Sequence, residues 1–137
     1  MSIQALTKEH VKAFERLGCQ DHEDAVVVLK LFDPRGASTW YLTELDCDPN
    51  SDEYGLGFGY CILNGDVEMS ELGGVYIFEL LNLRRRIELT PENTPDLTNV
   101  RMGARDSVLV IERDLHFPIG KVKVRDVMDK IRAGGHV

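Results

Sequence analysis

Three side chains that alternate along Glu112-Arg113-Asp114-Leu115-His116-Phe117 are of types that do chemistry. On an extended strand, Glu112, Asp114 and His116 fall on one face. Two carboxylates and an imidazole side by side make a divalent-metal triad or an acid/base set. Glu44 and Asp46 form a second carboxylate pair at strand spacing, and Glu71 is a further candidate. Lys30 and Arg113 are the available counter-charges. With them, the same residues make an ion-pair network on a half-exposed sheet face. The ion-pair reading is favoured over the catalytic one, because nothing in the sequence brings the two charged strands together. No G-x-S-x-G, H-E-x-x-H, P-loop or C-x-x-C is present, so the familiar hydrolase, protease and nucleotide-binding motifs are absent. Cys19, Cys47 and Cys61 are odd in number. They fit neither a disulfide framework nor a zinc site and are expected to be reduced, structural thiols.

The elements that position these residues follow from periodicity. Residues 8–17 predict a helix, with Thr7 as N-cap and Gly18 as its stop. Leu6, His10, Ala13, Phe14 and Leu17 form its apolar stripe, and His10 is expected to be hydrogen-bonded and part-buried. The run AVVVLKLF (25–32) is β-branched and reads as a buried, central strand. Pro34-Arg35-Gly36 has turn chemistry, so STWYLTELD (38–46) returns as the second arm of a hairpin. Strict alternation puts Trp40, Leu42, Glu44 and Asp46 on one face, and Thr39, Tyr41, Thr43 and Leu45 on the other.

Residues 48–53 are an acidic loop. Residues 54–63 are a strand interrupted by Gly55, Gly57 and Gly59, which favours close backbone approach or a bulge. Their spacing is not a dinucleotide fingerprint. Asn64-Gly65-Asp66 reads as a tight turn, VYIF starts a strand, and ELLNLRRRI (79–87) reads as a short helix with Arg84, Arg85 and Arg86 in its last turn. Residues 88–107 lack periodicity and read as a long loop or insertion. VLVIERDLHF (108–117) is the last strand. Residues 123–133 close as a helix with Val124, Val127, Met128 and Ile131 on one stripe. Helices at the ends and strands between them give an α+β fold, a mainly antiparallel sheet in a single domain over 1–137.

The chain has 137 residues, 43% hydrophobic and 28% charged, an ordinary globular mix. Its net charge is −7, which argues against direct nucleic-acid binding, where a basic footprint is expected. No apolar run approaches a membrane span and no leader pattern opens the chain, so a cytoplasmic setting without membrane contact is expected. The negative charge is concentrated: residues 21–71 carry twelve acidic and two basic residues, a net −10. Such a segment serves solubility, or it docks a basic partner.

The run LKLFDPRGASTWYLTELDCD, the glycine-rich strand, SELGGVYIFEL and IERDLHF together resemble domain-of-unknown-function family 2958. The opening LTKEH is similar to that family's start, and the resemblance spans about residues 5 to 117. The positions that carry it are Lys30, Trp40, Thr43, Glu44, Asp46, Gly57, Glu71, Leu72, Gly73, Glu112, Arg113, Asp114, His116 and Phe117. The 88–107 segment is longer than the family pattern, and SELGGVYIFEL departs from its usual sheet-to-helix segment. The resemblance implies a bacterial protein associated with plasmids, phages or integrative elements, and transfers no catalytic residue.

The expectation is an accessory protein of a mobile element or its host. It would be a non-enzymatic, acidic interaction module without a cofactor, with a protein partner bound at Glu44, Asp46, Asp48, Asp52 and Glu53. An anti-defence inhibitor or nucleic-acid mimic would be one such case. The alternative is a small metal-dependent hydrolase or nuclease, using a divalent metal at Glu112, Asp114 and His116 with Glu44, Asp46 and Glu71.

Overall fold

Thr7 opens the first helix, α1 (Lys8–Leu17), through a reciprocal cap. The His10 N–H donates to Thr7 Oγ1, and the Thr7 N–H donates back to His10 Nδ1 at 3.1 Å. Gly18, at φ +55°, ends the helix. The computed structural model describes residues 6–20, 24–34, 38–63, 65–81, 106–135 and 137, and 84–88; of 84–88 and 106–110 it describes the backbone. α1 buries His10, Ala13 and Phe14, as its stripe predicts.

The 25–32 run is one continuous strand by pattern but two in the fold: β1 (Val26–Val27) and β2 (Leu29–Phe32). Val27, Val28 and Leu29 are all buried, and Val28 and Leu29, adjacent in sequence, enter the same core, which strict strand alternation does not allow. The break at Val28, whose N–H donates to the Leu42 carbonyl, delivers Val27 to one core and Val28 with Leu29 to the other. β2 is interior, between β3 (Thr39–Leu45) and β8 (Glu112–Arg113). The middle strand is β3. The predicted hairpin forms, with pairs running from Leu29↔Leu42 to Phe32↔Thr39. Residues 35–37 of its turn lie outside the described residues.

A bulge between Leu42 and Glu44 breaks the alternation predicted for β3. Leu45 therefore joins Trp40 and Leu42 in the first core instead of sharing a face with Tyr41. Trp40 is buried there. On β4 (Leu56–Ile62), the missing Cβ of Gly59 would collide with the Tyr41 carbonyl oxygen, and that of Gly57 would stand 2.9 Å from the Glu44 carbonyl oxygen. This is the close approach the glycines forecast.

β5 (Glu71–Tyr76) follows β4 and completes a five-stranded antiparallel sheet in the order β5-β4-β3-β2-β8. The predicted 79–87 helix is corrected: α2 is short (Ile77–Leu81), and Arg84–Arg86 lie on β6 (Arg84–Glu88), paired with β7 (Asp106–Val110). Local helix propensity yields to pairing with the β-branched Val108 and Val110 segment. Within the expected 88–107 loop, residues 89–105 lie outside the described residues, and the β6–β7 ladder brings its ends together. The predicted 108–117 strand ends at Arg113, and a further strand, β9 (Val122–Lys123), pairs with β1. α3 (Val124–Arg132) buries Val124, Val127 and Ile131 against the second core with Tyr41 and Tyr60. α1 and α2 cover one sheet face and α3 the other, an α+β arrangement of antiparallel sheets. Among the described residues, no helix is long and apolar enough to cross a membrane.

Candidate functional site

Where β3 ends, Asp46 organises the acidic loop. Its Oδ1 accepts the Asp48 N–H at 2.9 Å and its Oδ2 accepts the Ser51 hydroxyl at 2.5 Å. The Ser51 hydroxyl and then the Asp48 N–H hold its carboxyl below the usual range. Asp48 Oδ1 accepts the Asn50 N–H, and Ser51 Oγ accepts the Glu53 N–H. The Gly55 N–H, at a φ of +88° that suits glycine, closes the loop on the Asp46 carbonyl. The carboxylates are thus carried on a loop that is hydrogen-bonded throughout.

Glu44 is half-buried beside this loop and accepts the Gln20 N–H at 3.3 Å. Gln20, a neutral residue in no motif, clamps the chain after α1 to the sheet. Its amide donates to the Thr43 and Val26 carbonyls and accepts the Val26 N–H. Glu44, Asp46 and Glu53 then line one cleft of about 420 Å³ whose apolar lining includes Phe14, Leu45 and Phe58. Carboxylates over an apolar floor suit a guanidinium or ammonium head on its hydrocarbon stem. Cys19 borders this cleft and is exposed, against the expectation for a structural thiol. Its hydrogen bond to Glu44 and that carboxylate's charge push the thiol pKa up, away from a nucleophile. Cys47 and Cys61 are half-buried beside the first core, and burial raises both thiols to about 11.

The second constellation has a different shape from the one expected. β8 stops at Arg113, so strand alternation does not align Glu112, Asp114 and His116. Asp114 turns the chain instead: its N–H donates to the Lys30 carbonyl and its Oδ1 accepts the His116 N–H at 2.9 Å. Lys30 is its counter-charge, as predicted, at 3.2 Å. Lys30 Nζ also donates to the Val137 backbone oxygen and lies 5.6 Å from the Tyr41 ring centre. Burial opposes the Asp114 charge, but the His116 N–H and Lys30 outweigh it and hold the carboxyl below its usual range. Burial, then Asp114, raises Tyr41 to about 12. Glu112, Asp114 and His116 do line one shallow cleft of about 350 Å³, but they share it with Lys30 and Arg113.

Burial first, and Arg113 second, lower the His10 pKa. Among the described residues, Glu44 and Asp46 line a different cleft from the Glu112–His116 group, and Glu71 lines a third cleft on β5. The six candidate residues therefore fall at three places. Among the described residues, no three His, Cys, Asp or Glu side chains come together as a group that could hold a metal ion.

The model of a family described as a protein of unknown function (DUF2958) matches residues 2–100. The matched span ends before the Glu112–Phe117 block and contains the whole acidic segment. No curated protein and no solved structure matches the chain.

Proposed function

The chain belongs to the DUF2958 family of proteins of unknown function, and we propose that it is a non-enzymatic, acidic protein–protein interaction module, an accessory of a mobile element or its bacterial host. The observation that carries this reading is the convergence of Glu44, Asp46 and Glu53 on one apolar-floored cleft, with Asp48 and Asp52 exposed on the same loop. The partner is a basic protein that places a lysine or arginine side chain in the cleft. Arginine fits best, since its planar head meets carboxylates through paired hydrogen bonds. Support also comes from the charge layout, a net −10 over residues 21–71. The complementary field speeds encounter and selects the sign of the partner more than it adds affinity. The hydrolase reading draws no comparable support, because its carboxylates are divided among three clefts and Asp114 is engaged by Lys30.

Capture from bacterial lysate tests the proposal. Immobilised wild-type chain and an E44Q/D46N/E53Q variant are compared at about 0.01 M and about 1 M salt, where the Debye length falls from about 30 to about 3 Å. Basic proteins held by the wild type, lost in the variant and released by salt are expected. Partners retained equally by both chains and at high salt would contradict it.

A further inference from the structure

The five-stranded sheet ends on two unlike edges. β8 is two residues long, whereas β5 runs for six residues in unbroken register against β4. Among the described residues no strand pairs with the outer side of β5. Every second N–H and C=O along it points outward, a template for another extended chain. Proteins usually blunt such an edge with lysine, proline or a bulge. β5 has none of the three.

Its glycines add a second observation. Gly57 and Gly59 on β4 are required by the β3 backbone lying against them. A Cβ on Gly73 would meet nothing within 4 Å, and Gly73 has no positive φ. Among the described residues nothing asks for glycine there, although glycine weakens a strand interior. The space it leaves belongs to a cleft of about 380 Å³ along β5. Trp40, Val75 and Leu80 give this cleft apolar lining, and Glu71 and Glu79 give it negative charge. Leu63 and Tyr76, which also line it, are 56% and 58% exposed.

We infer that β5 takes up an extended basic segment of a partner protein as an additional strand. An apolar side chain of that segment rests over Gly73, and its lysines or arginines meet Glu71 and Glu79. Backbone hydrogen bonds then supply affinity and the cleft supplies selectivity. The basic character of the occupant rests on the interaction-module reading above, while strand addition itself does not. A second copy of this chain fits less well, since it brings a further −7 and a second Glu71 and Glu79 to the same edge.

The probe is an acetylated, amidated hexapeptide of alternating lysine and valine, titrated into the full chain. It is expected to slow amide hydrogen exchange across residues 71–76. The same peptide N-methylated throughout keeps its charges but loses its backbone donors, and should bind about tenfold or more weakly. Gly73→Val should weaken binding similarly by filling the cleft, with an unchanged thermal midpoint showing that the fold is kept. Equal binding by the N-methylated peptide, or by Gly73→Val, would overturn strand addition. Equal binding of a glutamate–valine peptide would overturn the basic occupant. Protection at 71–76 that rises with protein concentration alone would overturn it in favour of a second copy. In the E44Q/D46N/E53Q variant the peptide should still slow exchange at residues 71–76, so failure at β5 is read separately from failure at the Glu44 cleft.

Discussion

Lys30 Nζ, on β2, stands 3.2 Å from Oδ2 of Asp114, one residue beyond the end of β8, with the two side chains 16% and 26% exposed. The pair is neither fully wet nor dry, and it ties the turn after β8 to the interior of the sheet. Lys30→Met leaves the Asp114 charge without its cation. The expected cost is about 1–2 kcal/mol, between the values for exposed and buried pairs, read from urea denaturation. Because the folded-state pKa of Asp114 is depressed, its contribution is complete above the unfolded value of about 3.9 and is lost as pH falls through the folded value. Lys30→Met should shrink that acid-side loss. An unchanged midpoint and an unchanged acid profile would mean that the pair contributes nothing.

His10 gives a second pH window. Its Nδ1 accepts the Thr7 N–H, which an imidazolium cannot do, and burial with Arg113 depresses its pKa. The stabilisation is therefore complete above the unfolded value of about 6.5 and declines as pH falls from there through the folded value. His10→Gln keeps a capping-box residue at that helix position but cannot titrate. Thermal midpoints should fall between about pH 6.5 and 5 in the wild type and stay flatter in the variant. Parallel profiles would refute the assignment.

Two glycine substitutions should behave oppositely. Gly59→Ala drives a Cβ into the Tyr41 carbonyl, so β3 and β4 must part, at about 3 kcal/mol or more. Gly73→Ala meets open space and should change stability by about 0.5 kcal/mol or less. Chemical denaturation of both variants checks the contrast, and similar losses would contradict the packing described for β4.

How much of this is legible in the sequence depends on how local the cause is. Thr7, Gly18 and the α3 stripe act within a few residues, and the 25–46 hairpin is announced by its own pattern and turn. The bulge that sends Leu45 to the Trp40 side is set by β4 lying against β3, and no residue near position 43 signals it. Arg84–Arg86 have a helical look that only pairing with Asp106–Val110 overrides. The acidic cleft is half legible: Glu44, Asp46 and Glu53 stand out by charge, but Phe14 and Gln20 reach them only through the fold. The Glu112–His116 alternation misleads, because Asp114 leaves the strand to bond with Lys30 and His116.

If the Glu44 cleft docks a basic side chain, NMR titration with an arginine octapeptide gives saturable amide shifts centred on Glu44, Asp46, Glu53 and Cys19. They should weaken steeply between about 0.01 M and about 1 M salt and vanish in E44Q/D46N/E53Q. Shifts that persist in that variant, or that survive high salt undiminished, would contradict it.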